Sequence, residues 1–284
     1  MKKFASNFKQ LIVIEWKILL YRFGIFVVGW YLFTLAIALY TPTMVGASQI
    51  DFTIFAFLGV FSNSKIDGAG SITNALGQYS TYLLLMYVVM MVITVIMGAI
   101  NTALDFKKNK NVEKIYWYIL FVIGDIISLF IIPLGVQMQF LYITDAIYAN
   151  LSEKAANYLR IWIFVIAFLT YCISIALMVY CSIMPGVYNS IAEESRKLTK
   201  MSYQASRVLW DFLLIVPGVL ILIIVNWDAT IKLNFLINYL SFGTIFFIFL
   251  TGPIVNQILK LFNKFYNIKS KTQELYNKKP QIIV

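Results

Sequence analysis

Asp125 is the residue whose type and position point most directly to chemistry. It lies near the centre of the apolar stretch 115–136, where an ionised carboxylate costs at least about 2.5 kcal/mol if that stretch crosses a membrane. One interpretation is a proton or cation site on a polar path. The other is a carboxyl that is protonated or hydrogen-bonded to Ser128, Thr170 or Ser174. Both interpretations stay open at the level of sequence.

The sequence contains few other residues that could carry out catalysis. The sequence contains no histidine, which removes the commonest metal ligand and the usual general base near neutral pH. The apolar stretches contain no paired acidic residues, so an aspartyl dyad is not available. Cys172 and Cys181 point to opposite faces of one apolar helix and are typical of buried small residues. The sequence therefore predicts no enzyme activity, no metal site and no cofactor.

Asp211 has a simpler expected role. It follows Arg207 by four residues, a spacing at which a helix brings opposite charges together. The sequence therefore predicts a local ion pair between these two side chains.

Composition identifies the elements that position these residues. The chain is 61% hydrophobic and 13% charged, whereas soluble domains are about 45–50% apolar and about 25% charged. A helix needs about 20 apolar residues to cross a bilayer. We predict an all-α bundle of six transmembrane helices, at about 23–40, 82–100, 115–136, 158–184, 208–225 and 236–259.

Charge sets the expected orientation. Most of the 23 basic residues fall in the amino-terminal segment, in alternate loops and in the carboxyl-terminal segment. Because positive loops stay cytoplasmic, we expect both termini inside. The abundance of Ile, Lys, Asn, Phe and Tyr is typical of a prokaryote with an AT-rich genome. We therefore predict a multi-pass protein of a prokaryotic cell membrane.

The connecting segments complete the predicted organisation. We expect an interfacial cytoplasmic helix at 1–22, a transmembrane domain at 23–264 and a cytoplasmic tail at 265–284. The outer loop 41–81 contains an apolar run at 51–61, too short to span, which is either interfacial or re-entrant. Alternatively, the first span is a signal sequence cleaved after Ala47, which leaves five spans.

A cytoplasmic helix at 186–207 is the main candidate surface for a partner. Its apolar residues recur at helical spacing and include Ile191, Leu198 and Met201, while charged residues occupy the other faces. The helix could bind a soluble partner or lie on the lipid headgroups. Specific nucleic-acid binding is disfavoured because the positive charge is spread over four segments beside the membrane. Transit of DNA stays open.

The start of the chain resembles a known family. The run FKQLIVIEWKILLYRFGIF is similar to the amino-terminal elbow helix and first span of permease subunits of type 2 ABC exporters. The matching pattern of Glu, Lys, paired Leu and Arg comprises Glu15, Lys17, Leu19, Leu20 and Arg22. The resemblance implies docking of a separate ATPase through Glu15 and through Lys110 and Glu113 in the first cytoplasmic loop. The last outer loop departs from the family by leaving little room for its re-entrant hairpin.

Two functions follow as hypotheses. The first is an export permease that forms a homo- or hetero-oligomer and works with a separate ATPase, since this sequence has no phosphate-binding loop of its own. The second is a non-catalytic channel or scaffold subunit of a type IV secretion-like or DNA-transfer machine. The lipid bilayer is a partner in both.

Overall fold

The protein is a bundle of helices. A computed structural model describes residues 2–61, 66, 75–109, 113–148, 153–181, 186–268 and 270. In chain order the helices are α1 (Lys2–Tyr40), α2 (Gln49–Phe61), α3 (Ala75–Asn109), α4 (Glu113–Tyr148), α5 (Glu153–Cys181), α6 (Val187–Thr199), α7 (Tyr203–Ile224), α8 (Ala229–Tyr239), α9 (Phe242–Ile245) and α10 (Thr251–Phe265). A 3-10 turn follows α1, and the π-helical segment Phe246–Leu250 joins α9 to α10.

Among the described residues, six helices are long and apolar enough to cross a membrane, as the sequence predicts. They cover Trp16–Thr43, Gly77–Lys108, Phe121–Ile143, Tyr158–Cys181, Tyr203–Ile224 and Phe242–Phe265. Large apolar side chains on their outer faces are exposed, which suits a lipid solvent. The all-α, six-span architecture is therefore confirmed, and the protein is a multi-pass membrane protein.

The bundle has two ends that differ in charge. At one end Tyr21 of α1 lies against Tyr266, with 5.2 Å between ring centroids, and Tyr180 of α5 lies against Phe262 of α10. We call this the basic end, because most of the described cations lie there: Lys17, Arg22, Lys107, Lys108, Arg196, Lys197, Lys200, Lys260 and Lys264. The opposite end, which carries Asp228 and the start of α8, is the far end.

Helix α2 lies inside the bundle and not on its surface. Phe52, Ile54 and Leu58 have no exposed surface. Thr53 donates a hydrogen bond to the carbonyl oxygen of Leu214, near the middle of α7. A Cβ added to Gly218 would lie 2.8 Å from the ring of Phe52, so α2 packs directly on the α7 backbone.

Two breaks in helical structure meet beside α2 and form what we call the far-end junction, residues 40–51 and 239–244. The Ala47 N–H donates to the carbonyl of Tyr239 (3.0 Å), and the Gly243 N–H donates to the carbonyl of Val45 (3.1 Å). Gly46 has φ +135°, and a Cβ there would lie 2.8 Å from the backbone of Gly243. These bonds satisfy irregular backbone inside the bundle.

The junction explains one shifted boundary. The sixth apolar span begins at Phe242 and not at 236, because Leu240 leaves helical geometry and Ser241 extends to reach Val45. The preceding residues form the separate helix α8.

Two other predicted boundaries differ. The segment predicted as one helix at 186–207 is two, because Lys200 adopts a left-handed conformation with φ +59° and ends α6. The Ser202 hydroxyl then accepts a hydrogen bond from the Ala205 N–H and caps α7. At the start of the chain, α1 runs without interruption from Lys2 into the first span, so residue 22 is not a helix boundary.

Candidate functional site

A cavity of about 980 Å³ lies between α3, α4, α6 and the start of α7, at the basic end. One part of its lining is apolar, and the polar part carries charges of both signs. The polar lining comprises Thr94, Asn101, Thr102, Asp105, Lys108, Tyr118, Asp125, Asn189, Ser190, Glu193, Glu194, Lys197 and Tyr203. Its volume falls in the range of small-molecule binding sites, about 300–1,000 Å³.

Asp125 lines this cavity from α4, four residues after the start of the span Phe121–Ile143. It therefore lies near the basic end of that span, whereas the sequence predicted a position near the centre. The residue is 3% exposed, and its Oδ1 atom has no hydrogen-bond partner. Its side chain is hydrogen-bonded to Ser190 of α6. Among the described residues, helix α4 itself therefore provides no side-chain donor for this carboxyl, and one of its two oxygens has no hydrogen-bond donor at all.

The three hydroxyl partners that the sequence suggested for this carboxyl bond elsewhere. Ser128 donates to the main-chain carbonyl of Asp125, Thr170 to that of Ile166 and Ser174 to that of Tyr171. Each bond lies within a single helix, as serine and threonine commonly bond in apolar helices. The hydrogen-bonded structural interpretation therefore holds only through Ser190, a residue that sequence spacing gave no reason to choose.

Helix α6 forms the charged wall of the cavity. Glu193 pairs with Arg196 and Glu194 with Lys197, each at 2.6 Å. The hydrogen bond with Glu193 raises the pKa of the Arg196 guanidinium. Asn101 of α3 donates to the carboxylate of Glu194 at 2.7 Å and also to its main-chain carbonyl. The carboxylates of the wall are thus already compensated, in contrast to Asp125.

Hydrogen bonds to α7 and between α3 and α4 fix this geometry. Tyr203 donates to Asn189, and Ser206 donates to the carbonyl of Ala192 at 2.7 Å. On the opposite wall, Tyr118 of α4 donates to the carbonyl of Val95 on α3 at 2.6 Å. The α6 wall and the α3–α4 wall are therefore held independently of any ligand.

The predicted ion pair between Arg207 and Asp211 is not formed. Tyr188 of α6 donates to Asp211, and the Arg207 guanidinium lies 5.3 Å from the centroid of the Tyr188 ring. Arg207 Nε and Asp211 Oδ2 have no hydrogen-bond partner. The aromatic ring of α6 stands between the two charges, an arrangement that local spacing on one helix cannot reveal.

A second buried carboxyl, Asp51, lies in the far-end junction. It is 2% exposed and accepts hydrogen bonds from Tyr40, Tyr79 and Ser48, the last at 2.7 Å. Sequence reasoning did not single it out, because it was assigned to an outer loop. The sequence did contain one signal, because Asp51 is followed directly by ten largely apolar residues, which is unusual for a solvent-exposed loop.

The residues predicted to dock a partner are placed unevenly. Ile191 is fully buried in the core, Leu198 is half-buried, and Met201 is exposed at 42%. Lys110 lies outside the described residues, as do the side chains of Glu15 and Glu113. The partner surface stays a prediction, with Met201 as its accessible member.

In comparisons with known proteins, no family model, no curated protein and no solved structure matches this chain. The described residues alone define the class, a multi-pass membrane protein with six helices that can span a bilayer.

Proposed function

We propose that this protein is the membrane-embedded subunit of an exporter, a non-catalytic permease driven by a separate ATPase on its cytoplasmic side. One observation carries the proposal. A large cavity with a charged wall enters the bundle at the basic end and reaches Asp125 inside the fourth helix. Ionisable residues that face such a cavity mark substrate or ion pathways in membrane proteins.

Two further features support this choice. By the positive-inside rule the basic end faces the cytoplasm, so the cavity faces the compartment from which an exporter takes its substrate. Helix α8, Ala229–Tyr239, lies between the fifth and sixth spans, so the segment that the sequence predicted to be too short holds a helix where type 2 exporter permeases have a re-entrant hairpin.

Purification of the tagged protein in mild detergent tests the need for an ATPase. We expect one soluble ATPase at equal stoichiometry. Met201→Glu, which places a negative charge in the apolar stripe predicted to receive the partner, should reduce its recovery, whereas Thr230→Glu adds the same charge at the far end and should not. Recovery of several unrelated membrane proteins without an ATPase would sink the exporter assignment and favour the secretion-channel alternative.

Thiol labelling tests the access route. Ser190 and Ser48 are similarly buried, at 8% and 5% exposure, but only Ser190 borders the cavity. With both native cysteines replaced by alanine, Ser190→Cys should react with a membrane-impermeant maleimide about tenfold faster than Ser48→Cys, because thiol reactivity follows access. The faster reaction should occur from the cytoplasmic side. Equal rates, or labelling from outside, would contradict the proposal.

A further inference from the structure

We infer that the cavity is a binding site for an amphipathic amine, whose protonated nitrogen binds Asp125 and whose apolar body lies between α3 and α4. The inference rests on the proposed function, because it names the class of substrate that an export cavity of this kind would take.

The anionic part of the site is a carboxyl poised to accept a donor. Asp125 is only 3% exposed and lines the cavity, and its Oδ1 atom has no hydrogen-bond partner. An ammonium group offers three N–H donors and a full positive charge. Charge-assisted hydrogen bonds of this type are roughly twice as strong as neutral ones. A bound ammonium group therefore donates the hydrogen bond that Oδ1 lacks and supplies a positive charge that compensates the carboxylate.

The other acidic residues of the cavity are less suited to this role, because Asp105 is only half-buried near the end of α3 and the two glutamates of α6 are paired. Glu193 and Glu194 are engaged by Arg196 and Lys197. The lysine side chains that line the cavity, Lys108 and Lys197, are exposed near the ends of α3 and α6. An amine that enters past them reaches Asp125, the most buried carboxyl of the cavity, beside Ser190. The charge distribution thus favours a cation that is carried inward by an apolar body.

The shape and the apolar lining identify that body. A volume of about 980 Å³ is far larger than a bare cation needs and suits an organic molecule. Met91, Val95, Phe121 and Val122 line the wall next to Asp125, and Tyr118 adds an aromatic ring on which a cation can rest. The site therefore combines an apolar slot with one buried carboxyl at its inner part.

The same chemistry has two natural sources, a free lipophilic amine or the lysine side chain of a peptide. Competition separates them. Octylamine represents the free amine, and an acetylated, amidated Leu-Lys-Leu peptide represents the lysine. Displacement of a bound fluorescent amine by either compound supports the site and names its source, whereas displacement by neither overturns it.

The direct test is a fluorescence titration of the purified full-length protein in nanodiscs with dansylcadaverine, a fluorescent primary amine. We expect saturable binding, and binding of the N-acetylated, neutral analogue weaker by about tenfold, the loss expected for one charged hydrogen bond. Asp125→Asn should weaken amine binding by about the same factor and leave binding of the neutral analogue unchanged. Asp228→Asn, at the exposed far end, is the matched control and should bind as the native protein does.

Two results would overturn the inference: equal affinity for the amine and its acetylated analogue, or unchanged amine affinity in Asp125→Asn. The melting temperature of each variant, measured on the same sample, separates loss of binding from loss of fold. Binding without a co-purified ATPase would sustain the amine site and remove the exporter assignment. An ATPase partner without amine binding would do the reverse.

Discussion

Two buried aspartates near opposite ends of the bundle differ in how completely their carboxyl groups are hydrogen-bonded, and this difference distinguishes a structural residue from a candidate binding residue. Asp51 and Asp125 are almost equally buried, at 2% and 3% exposure. Three hydroxyl groups donate to Asp51, whereas Asp125 keeps one oxygen without a partner beside a large cavity. Because a buried polar group without partners costs free energy, the unsatisfied carboxyl is the one that a ligand can explain. Burial alone does not distinguish the two.

The strongest way to break this comparison is to disrupt the far-end junction at Gly46. Gly46→Ala places a Cβ 2.8 Å from the Gly243 backbone at φ +135°. Backbone strain and overpacking together predict a loss of about 4 kcal/mol of stability. Loss of the monodisperse peak in fluorescence-detected size-exclusion chromatography measures it. Gly24→Ala, which meets nothing within 4 Å, should leave the peak intact. Native-like behaviour of Gly46→Ala would contradict the tight crossing.

The next largest effect is expected at Asp51. Asp51→Ala leaves the hydroxyls of Tyr40, Tyr79 and Ser48 without their acceptor, which predicts a loss of about 3 kcal/mol. A lower melting temperature in detergent is the readout, with Asp228→Ala as the exposed control. A melting temperature equal to that of the control would show that the hydroxyls find other acceptors.

For Asp125 we expect the opposite result, namely that its replacement causes little or no loss of stability. Asp125→Asn keeps the shape and removes a carboxyl that no cation compensates, so the free energy of unfolding should change by less than about 1 kcal/mol or rise. The same melting assay measures it without added ligand. A fall as large as that of Asp51→Ala would assign Asp125 to structural support and remove the contrast.

The smallest effect is expected on the charged wall. The pair of Glu193 and Arg196 is exposed, at 37% and 42% for the two side chains. Glu193→Gln should therefore cost about 0.5 kcal/mol or less, and the cost should disappear at high salt. Melting at low and high ionic strength tests this. A large, salt-independent loss would mean that the wall is part of the packed core.

The amino-acid sequence predicted the spans well because lipid imposes a simple rule on length and polarity. It also located Asp125, since a carboxylate in an apolar run stands out. Its hydrogen-bonding partner Ser190 and the paired wall of α6 were not predictable, because they depend on how α6 folds back against α3. The same limit applies to Asp211, which bonds to Tyr188 and not to Arg207 on its own helix.

The far-end junction was also not predictable from the sequence. Residues 45–47 and 239–244 are separated by nearly 200 positions, as the bond from Thr244 to the Ala47 carbonyl records. No local pattern at either segment predicts the other. The apolar run at 51–61 indicated an interfacial or re-entrant segment, but it did not indicate that this segment packs against α7.

The same long-range pairing has a consequence for synthesis in the cell. Chains emerge from the ribosome amino terminus first, so the polar backbone of residues 45–47 enters the membrane region long before Tyr239 and Gly243 have been translated. Until then its hydrogen-bonding groups depend on water or on a membrane insertase. The junction therefore closes late in synthesis, and a nascent chain that stops before residue 239 lacks the hydrogen-bonding partners of residues 45–47.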